Sequence, residues 1–336
     1  MKGRLAFPCL LLVASLVSAS GSFAAPKAKA PPKSEPKTEM QAPPAPAATP
    51  PDPNADYAYD AYYRGYYKYA FQEATRRADT GNDPKAMTLL GVIHAGGLGV
   101  PLDDNKAFEW YRKASDLGDR EAKTELALMY LQGRGTKEDR AEAARLFQQA
   151  AEKGNPTAAY NLALLYLDGQ TLPKDIAAAA KWFRAAAEQD LPDAQQALAI
   201  LYKEGTGVPK DLSEAAKWLA RAANLRHPPS MTEYAFVLYN GWGVPKDEKA
   251  GARWFRLAAL YGNPIAQNRL SYILLNGLGG LPKDPGQALA WHLYARARGD
   301  TNPALDDIFA ALPQDVQNAA EKLVRAWETG GPLPRP

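Results

Sequence analysis

The sequence predicts an all-α fold, a right-handed α-solenoid of helix-turn-helix repeats with an atypical helical cap at each end. The first observation is a row of aspartates spaced 36 residues apart, with a last step of 37: Asp103, Asp139, Asp175, Asp211, Asp247 and Asp284. The second is that a glycine-containing turn precedes each Asp, and a Trp or Leu follows it by seven residues. Sequence periods of 20–50 residues are typical of solenoids, in which each repeat packs only on its neighbours.

Residues 1–24 have the pattern of a cleavable secretory signal peptide. Lys2 and Arg4 provide a positive start, residues 5–17 an apolar core, and Ser22-Phe23-Ala24 a small-x-small cleavage site. Cleavage there would remove Cys9, the single cysteine, so we expect a mature protein stabilised by packing without disulfides. The signal resembles a bacterial one, which predicts a periplasmic or secreted protein.

Residues 25–56 are dominated by Pro, Ala and Lys and contain almost no side chain that could build a core. This composition predicts a disordered or polyproline-like linker. Two interpretations stay open: the linker is a passive spacer, or it is an arm that reaches the cell wall or membrane.

Residues 57–83 predict an N-terminal pair of capping helices. Seven tyrosines fall between Tyr57 and Tyr69. Their rings either cover the first repeat or form an exposed aromatic binding patch, and the first interpretation is favoured because terminal repeats are usually atypical.

Six full repeats fill residues 84–300, each with two helices. Apolar and small residues recur at helical spacing in the first helix, and a small residue such as Gly91 or Ala127 allows the partner helix to approach closely. The recurring Asp is predicted to cap the second helix. Three residues later Glu142, Glu214 and Gln287 are predicted to complete capping boxes. The repeating Trp is predicted to lie in the core.

The stretch Leu198–Ala223 reads Leu-Ala-x-x-Tyr-x-x-Gly-x-Gly-Val-x-x-Asp-x-x-x-Ala-x-x-Trp-x-x-x-Ala-Ala. This pattern resembles the Sel-one-like repeat, a subclass of the tetratricopeptide superfamily. The third repeat departs from it, with Gln170-Thr171 where Gly-x-Gly would end. The resemblance implies an α-solenoid that mediates protein–protein contacts, often in signalling or envelope assembly, with no catalytic residues to transfer. We expect residues 301–329 to form a C-terminal helical cap and residues 330–336 a loose tail.

The resemblance also implies that the first helices line a concave groove, with exposed residues two before and two after the position of Leu126. The first set comprises Thr88, Thr124, Tyr160, Gln196, Thr232 and Asn268. The second comprises Val92, Leu128, Leu164, Ile200, Phe236 and Tyr272. Such an uncharged strip suits an extended peptide or a glycan. The partner-binding residues that we predict are Tyr160, Gln196, Phe236, Tyr239, Trp242, Asn268 and Tyr272.

Two alternatives stay open for these residues. Several of the groove side chains could simply pack between neighbouring repeats. Trp242, between two glycines at a loop tip, could be an exposed recognition residue or could fold onto the adjacent turn.

Catalytic and nucleic-acid-binding signatures are missing from the sequence. The 40 basic and 37 acidic side chains nearly balance, so no nucleic-acid footprint is expected. His94, His227 and His292 lie in different repeats, so no metal site and no cofactor are expected. We therefore expect a non-catalytic periplasmic adaptor that binds a partner segment and acts in envelope signalling or exopolysaccharide control. The alternative is a peptidoglycan binder, or an enzyme acting on β-lactams or the cell wall.

Overall fold

The computed structural model describes residues 56–333, and the expected signal peptide and nearly all of the linker lie outside these residues. Within them the chain forms sixteen helices and no strand. The first eight are α1 (Tyr57–Tyr63), α2 (Tyr67–Gly81), α3 (Pro84–Gly96), α4 (Asp104–Asp116), α5 (Arg120–Gln132), α6 (Arg140–Glu152), α7 (Pro156–Asp168) and α8 (Ile176–Ala187). The others are α9 (Pro192–Glu204), α10 (Leu212–Asn224), α11 (Pro228–Asn240), α12 (Glu248–Leu260), α13 (Pro264–Asn276), α14 (Pro285–Arg296), α15 (Pro303–Ala310) and α16 (Gln314–Glu328).

The helices divide into two compact units, one ending at Trp182 and the other beginning at Phe183. Consecutive helices pack against one another in chain order from α1 to α7 in the first unit and from α9 to α14 in the second. The predicted all-α repeat architecture is therefore confirmed.

Each repeating aspartate caps the second helix of its repeat, as predicted. A side-chain oxygen of the Asp accepts a hydrogen bond of 2.8–3.0 Å from a backbone N–H in the first helical turn, in all six repeats. These bonds satisfy amides that have no partner within the helix.

The predicted capping boxes do not form. The backbone N–H of each capping Asp donates instead to a carbonyl near the end of the first helix, for example from Asp211 to Tyr202 at 2.9 Å. The side chains of Glu142 and Glu214 bind Arg145 and Lys217 on their own helices. The backbone hydrogen bond therefore joins the start of the second helix directly to the first helix. The glutamate side chains are not needed for capping and form ion pairs on the surface.

The second glycine of the turn lets successive repeats approach closely. A Cβ built on Gly243, in the α11–α12 turn, would lie 2.2 Å from the carbonyl oxygen of Leu212 at the start of α10. The third repeat departs from this pattern: Thr171 accepts a 2.9 Å hydrogen bond from Arg140 at the start of α6. Side-chain bonding therefore replaces close backbone contact at this junction.

In the second helix, the residue that follows the repeating Trp or Leu is part of the core. Members of this set are buried in every repeat: Tyr111, Phe147, Phe183, Leu219, Phe255 and His292. Trp218 and Trp291 are buried as predicted, but Trp110, Trp182 and Trp254 are only half-buried. A Cβ on Gly91 would lie 2.5 Å from the Tyr111 ring, which confirms that a small residue is needed there.

Both ends of the array are capped. Helix α2 packs on α3, and Ala70 and Ala74 are buried at that contact, whereas Tyr63 is 79% exposed. At the other end α16 packs on α14, where the ring of Trp327 lies 4.8 Å from that of Trp291. The apolar faces of the terminal repeats are covered in this way, which is what solenoid caps do.

Candidate interaction surface

The first predicted strip of groove residues is mostly buried, so the expectation of exposure is wrong for much of it. Thr88, Thr124, Thr232 and Asn268 are all buried. The Thr88 hydroxyl bonds the carboxylate of Asp119 at 3.0 Å, and Asp119 caps the first helix of the next repeat. The hydroxyls of Thr124 and Thr232 donate to carbonyls of their own helices, whereas Thr88 joins neighbouring repeats.

Asn268 shows this role most clearly. It is 7% exposed, and its amide nitrogen donates to the backbone carbonyl and the carboxylate of Asp300 at 2.9 and 2.7 Å. Its amide oxygen must then accept, and it faces Nδ1 of the buried His292 at 2.7 Å. Nε2 of the same ring lies 2.9 Å from the carboxylate of Asp306 on α15. Asn268 thus helps to join α13 and α14 to the C-terminal cap, and little of its surface remains for a partner.

His292 lies between two oxygen atoms, the amide oxygen of Asn268 and a carboxylate oxygen of Asp306. Its hydrogen bond lowers the pKa of Asp306, and Arg296, which donates to the same carboxylate at 3.0 Å, adds to the effect.

Gln196 and Tyr160 are half-buried. The amide nitrogen of Gln196 donates to the carboxylate of Glu233, one repeat further along, at 2.5 Å. Lys203 lies 3.9 Å from the same carboxylate. Gln196 therefore also has a contact between repeats, although part of its side chain remains accessible. Tyr160 lies on α7, in the unit that ends at Trp182.

Three predicted residues and one missed residue come together on α11 and α13, and we call them the α11–α13 face: Phe236, Tyr239, Arg269 and Tyr272. The Phe236 ring packs edge-on against Phe255 of α12, with ring centroids 4.8 Å apart. Tyr239 packs on the same ring at 6.1 Å. Burial raises the pKa of Tyr239, with a smaller contribution from Glu248, so its hydroxyl is neutral. Tyr272 is 44% exposed.

Arg269 is the residue that sequence reasoning missed. Its guanidinium carbon lies 4.9 Å from the centre of the Phe236 ring and 6.0 Å from that of Tyr272. Cations at such distances are attracted to aromatic faces. The signal in the sequence was its charge, because Arg269 is basic at a first-helix position that holds Leu89, Glu125, Asn161, Ala197 and Glu233 in the other five repeats.

Trp242 is exposed, at 49% of its surface, on the α11–α12 turn. Its backbone N–H donates to the carbonyl of Val237 at 3.0 Å, which closes the end of α11. In the described part of the chain, no hydrogen bond or ring contact joins its indole to the α11–α13 face. The structure thus shows an accessible Trp that is separate from the other predicted residues.

A cavity with a volume of 630 Å³ lies at the start of α12. Val244, Pro245 and Lys246 line one side of it, and Gly279 and Gly280 the other. Three of its charged side chains already have partners: Lys246 pairs with Glu248 at 2.5 Å, and Asp247 caps α12. None of the predicted partner-binding residues lines this cavity.

Neither a metal-binding cluster nor a membrane-spanning helix is found within residues 56–333. No group of three or more His, Cys, Asp or Glu side chains is arranged there to hold a metal ion. No helix in that range combines the length and apolar character needed to cross a membrane.

A stack of helical repeats with an accessible aromatic face is typical of an interaction scaffold. The chain belongs to the Sel1 repeat family, whose profile matches it six times, over residues 84–119, 120–155, 156–191, 192–227, 228–263 and 264–300. Proteins built from these repeats are generally non-catalytic scaffolds for protein–protein interaction, and no catalytic family is indicated. No curated protein matches the chain in sequence.

Two solved structures illustrate the similarity. A Sel1 repeat protein from Oxalobacter formigenes is 29% identical, with a TM-score of 0.66 over 72% of this chain and 98% of that one. The protein c5321, a protective antigen of uropathogenic Escherichia coli with an SLR fold, is 27% identical, with a TM-score of 0.52 over 82% of this chain and 71% of that one.

Proposed function

We propose that this protein is a periplasmic adaptor that binds an extended segment of a partner protein on the α11–α13 face. The observation that carries the proposal is the cluster itself: Phe236, Tyr239 and Tyr272 present rings beside Arg269, and Tyr272 leaves nearly half of its surface accessible. Tyrosine and arginine are enriched among the residues that dominate binding energy at protein interfaces.

Two rings of the α11–α13 face are fixed by packing on the core, which favours a role in recognition. Phe236 and Tyr239 both pack on Phe255, a fully buried residue of α12. Aromatic side chains fixed by packing lose little conformational freedom when a partner binds, so more of the contact energy appears as affinity. The periplasmic location rests on the signal-like residues 1–24, and a role in envelope signalling or exopolysaccharide control is part of the same proposal.

Site-specific photo-crosslinking in cells tests this function. A photoreactive phenylalanine analogue replaces Tyr272 in one variant and Tyr261 in another. Tyr261 is a matched control, because it is a 41% exposed tyrosine at the end of α12, outside the face. We expect a discrete crosslinked partner, identified by mass spectrometry, from position 272 only. Equal crosslinking from both positions, or none from position 272, would contradict the proposed surface.

A further inference from the structure

The guanidinium of Arg269 is held in place but has no partner for its charge. It rests on the rings of Phe236 and Tyr272. Within residues 56–333 it makes no hydrogen bond and lies within 4 Å of no carboxylate. An arginine side chain carries five N–H donors in a rigid fork that matches a carboxylate. The side chain is thus oriented for a carboxylate that the described residues do not supply.

The acidic side chain at the equivalent position of the preceding repeat already has partners. Glu233 has the same position in the fifth repeat as Arg269 has in the sixth. Its carboxylate accepts from the amide of Gln196 at 2.5 Å and lies 3.9 Å from the ammonium of Lys203. The positive charge of Arg269 therefore remains uncompensated on the α11–α13 face, and this charge favours an acidic occupant.

Two exposed asparagines favour a peptide as that occupant. Asn240 and Asn276 have the same position in consecutive repeats, four residues after Phe236 and Tyr272 respectively. Each amide nitrogen donates to the carbonyl of that aromatic residue, at 2.9 and 2.8 Å. Each amide oxygen can therefore accept a hydrogen bond from a bound peptide, because an extended backbone presents N–H donors. A ring and an amide acceptor therefore recur with the period of the repeat.

We propose that the α11–α13 face binds an acidic extended peptide, and that Arg269 pairs with an Asp or Glu side chain of that peptide. Phe236 and Tyr272 would contact apolar residues on either side of the acid, and Asn240 and Asn276 its backbone. Paired N–H donors from one guanidinium to one carboxylate are among the strong hydrogen bonds of proteins. This inference rests on the proposed function and specifies the chemistry of the partner.

A random twelve-residue peptide library displayed on phage tests the inference with the full mature chain. Wild-type protein and the R269Q variant are each used for selection. The wild type is expected to enrich peptides that share one Asp or Glu flanked by apolar residues, whereas R269Q loses that preference. The variant is expected to keep the wild-type Tm, because the guanidinium makes no hydrogen bond within residues 56–333.

One enriched peptide and its copy with the acid changed to the amide are then titrated by fluorescence anisotropy. Either R269Q or the amide peptide should weaken binding by roughly tenfold, and the two changes together should cost little more than one. The affinity of the R269K variant, which keeps the charge but loses the planar set of paired N–H donors, should lie between the affinities of wild type and R269Q. If R269Q failed to fold, the amide peptide with wild-type protein would give the same test.

Four outcomes would overturn the inference: no enriched peptide, enriched peptides without a shared acid, additive losses, or displacement of the peptide by an acidic oligosaccharide at lower concentration. The proposed function has a separate readout. A partner crosslinked at position 272 that tolerates R269Q would leave that function standing and remove only the acidic specificity.

Discussion

Replacing Gly243 with alanine should destabilise the fold, because the new side chain would meet the backbone of the preceding repeat. Its φ of +75° lies in the left-handed region, where an L-residue costs about 1–2 kcal/mol. The new Cβ would also lie 2.2 Å from the carbonyl oxygen of Leu212 and 2.7 Å from the amide nitrogen of Ser213. Atoms in normal contact are about 3.5 Å apart, so backbone would have to shift by more than about 1 Å. Such overpacking costs about 1–3 kcal/mol more.

Gly262→Ala is the matched control. Gly262 has a φ of +85°, but a Cβ there would meet nothing within 4 Å, so only the conformational cost applies. A domain of this size loses about 2–4 °C of Tm per kcal/mol. The two variants differ by the overpacking cost of about 1–3 kcal/mol, so in thermal unfolding followed by circular dichroism G243A should melt roughly 2–12 °C below G262A. Equal melting temperatures would refute the claim that the second glycine is required by contact with the preceding repeat.

Three further predictions concern helix caps and the C-terminal junction. Because the pKa of Asp306 is lowered, its contribution to stability should be complete above about pH 5 and lost as the pH falls below about 4. The difference in urea-unfolding free energy between wild type and D306N should shrink in that window, and a constant difference would contradict the pairing with His292. The variant H292F, which has the residue found at that position in other repeats, should cost about 1–3 kcal/mol, because the buried Asn268 oxygen loses its donor. Hydrogen exchange should then be faster in α15, and unchanged exchange there would argue against the junction. D211A should cost about 1 kcal/mol through loss of the cap on α10, and an unchanged unfolding midpoint would contradict that role.

The architecture could be predicted from the sequence because every repeat has the same local signals. Asp211 caps a helix, the preceding glycines end one, and small residues such as Ala199 mark close helix contacts, all without long-range information. The capping boxes could not be predicted reliably, because the capping N–H had a better acceptor in the first helix. That acceptor, the carbonyl of Tyr202 in the fourth repeat, comes close only once the turn has folded.

The candidate surface was harder to predict because exposure depends on how repeats stack. Asn268 was expected in an open groove, but the loop containing Asp300 and the ring of His292 cover it. Tyr272, four residues later on the same helix, stays exposed as expected. Arg269 escaped attention because a single arginine on a helix is usually a solvated charge. Only the structure shows that it lies over two rings and lacks an acidic partner in the described part of the chain.

The most direct test of the adaptor function is the affinity for the partner segment identified by crosslinking. Its Kd is measured by calorimetry with wild type, Y272A and Y261A, after circular dichroism shows that all three are folded. Loss of a central aromatic contact should weaken binding by about tenfold or more in Y272A, while Y261A should bind like wild type. Equal affinities for Y272A and wild type would contradict a binding site on the α11–α13 face.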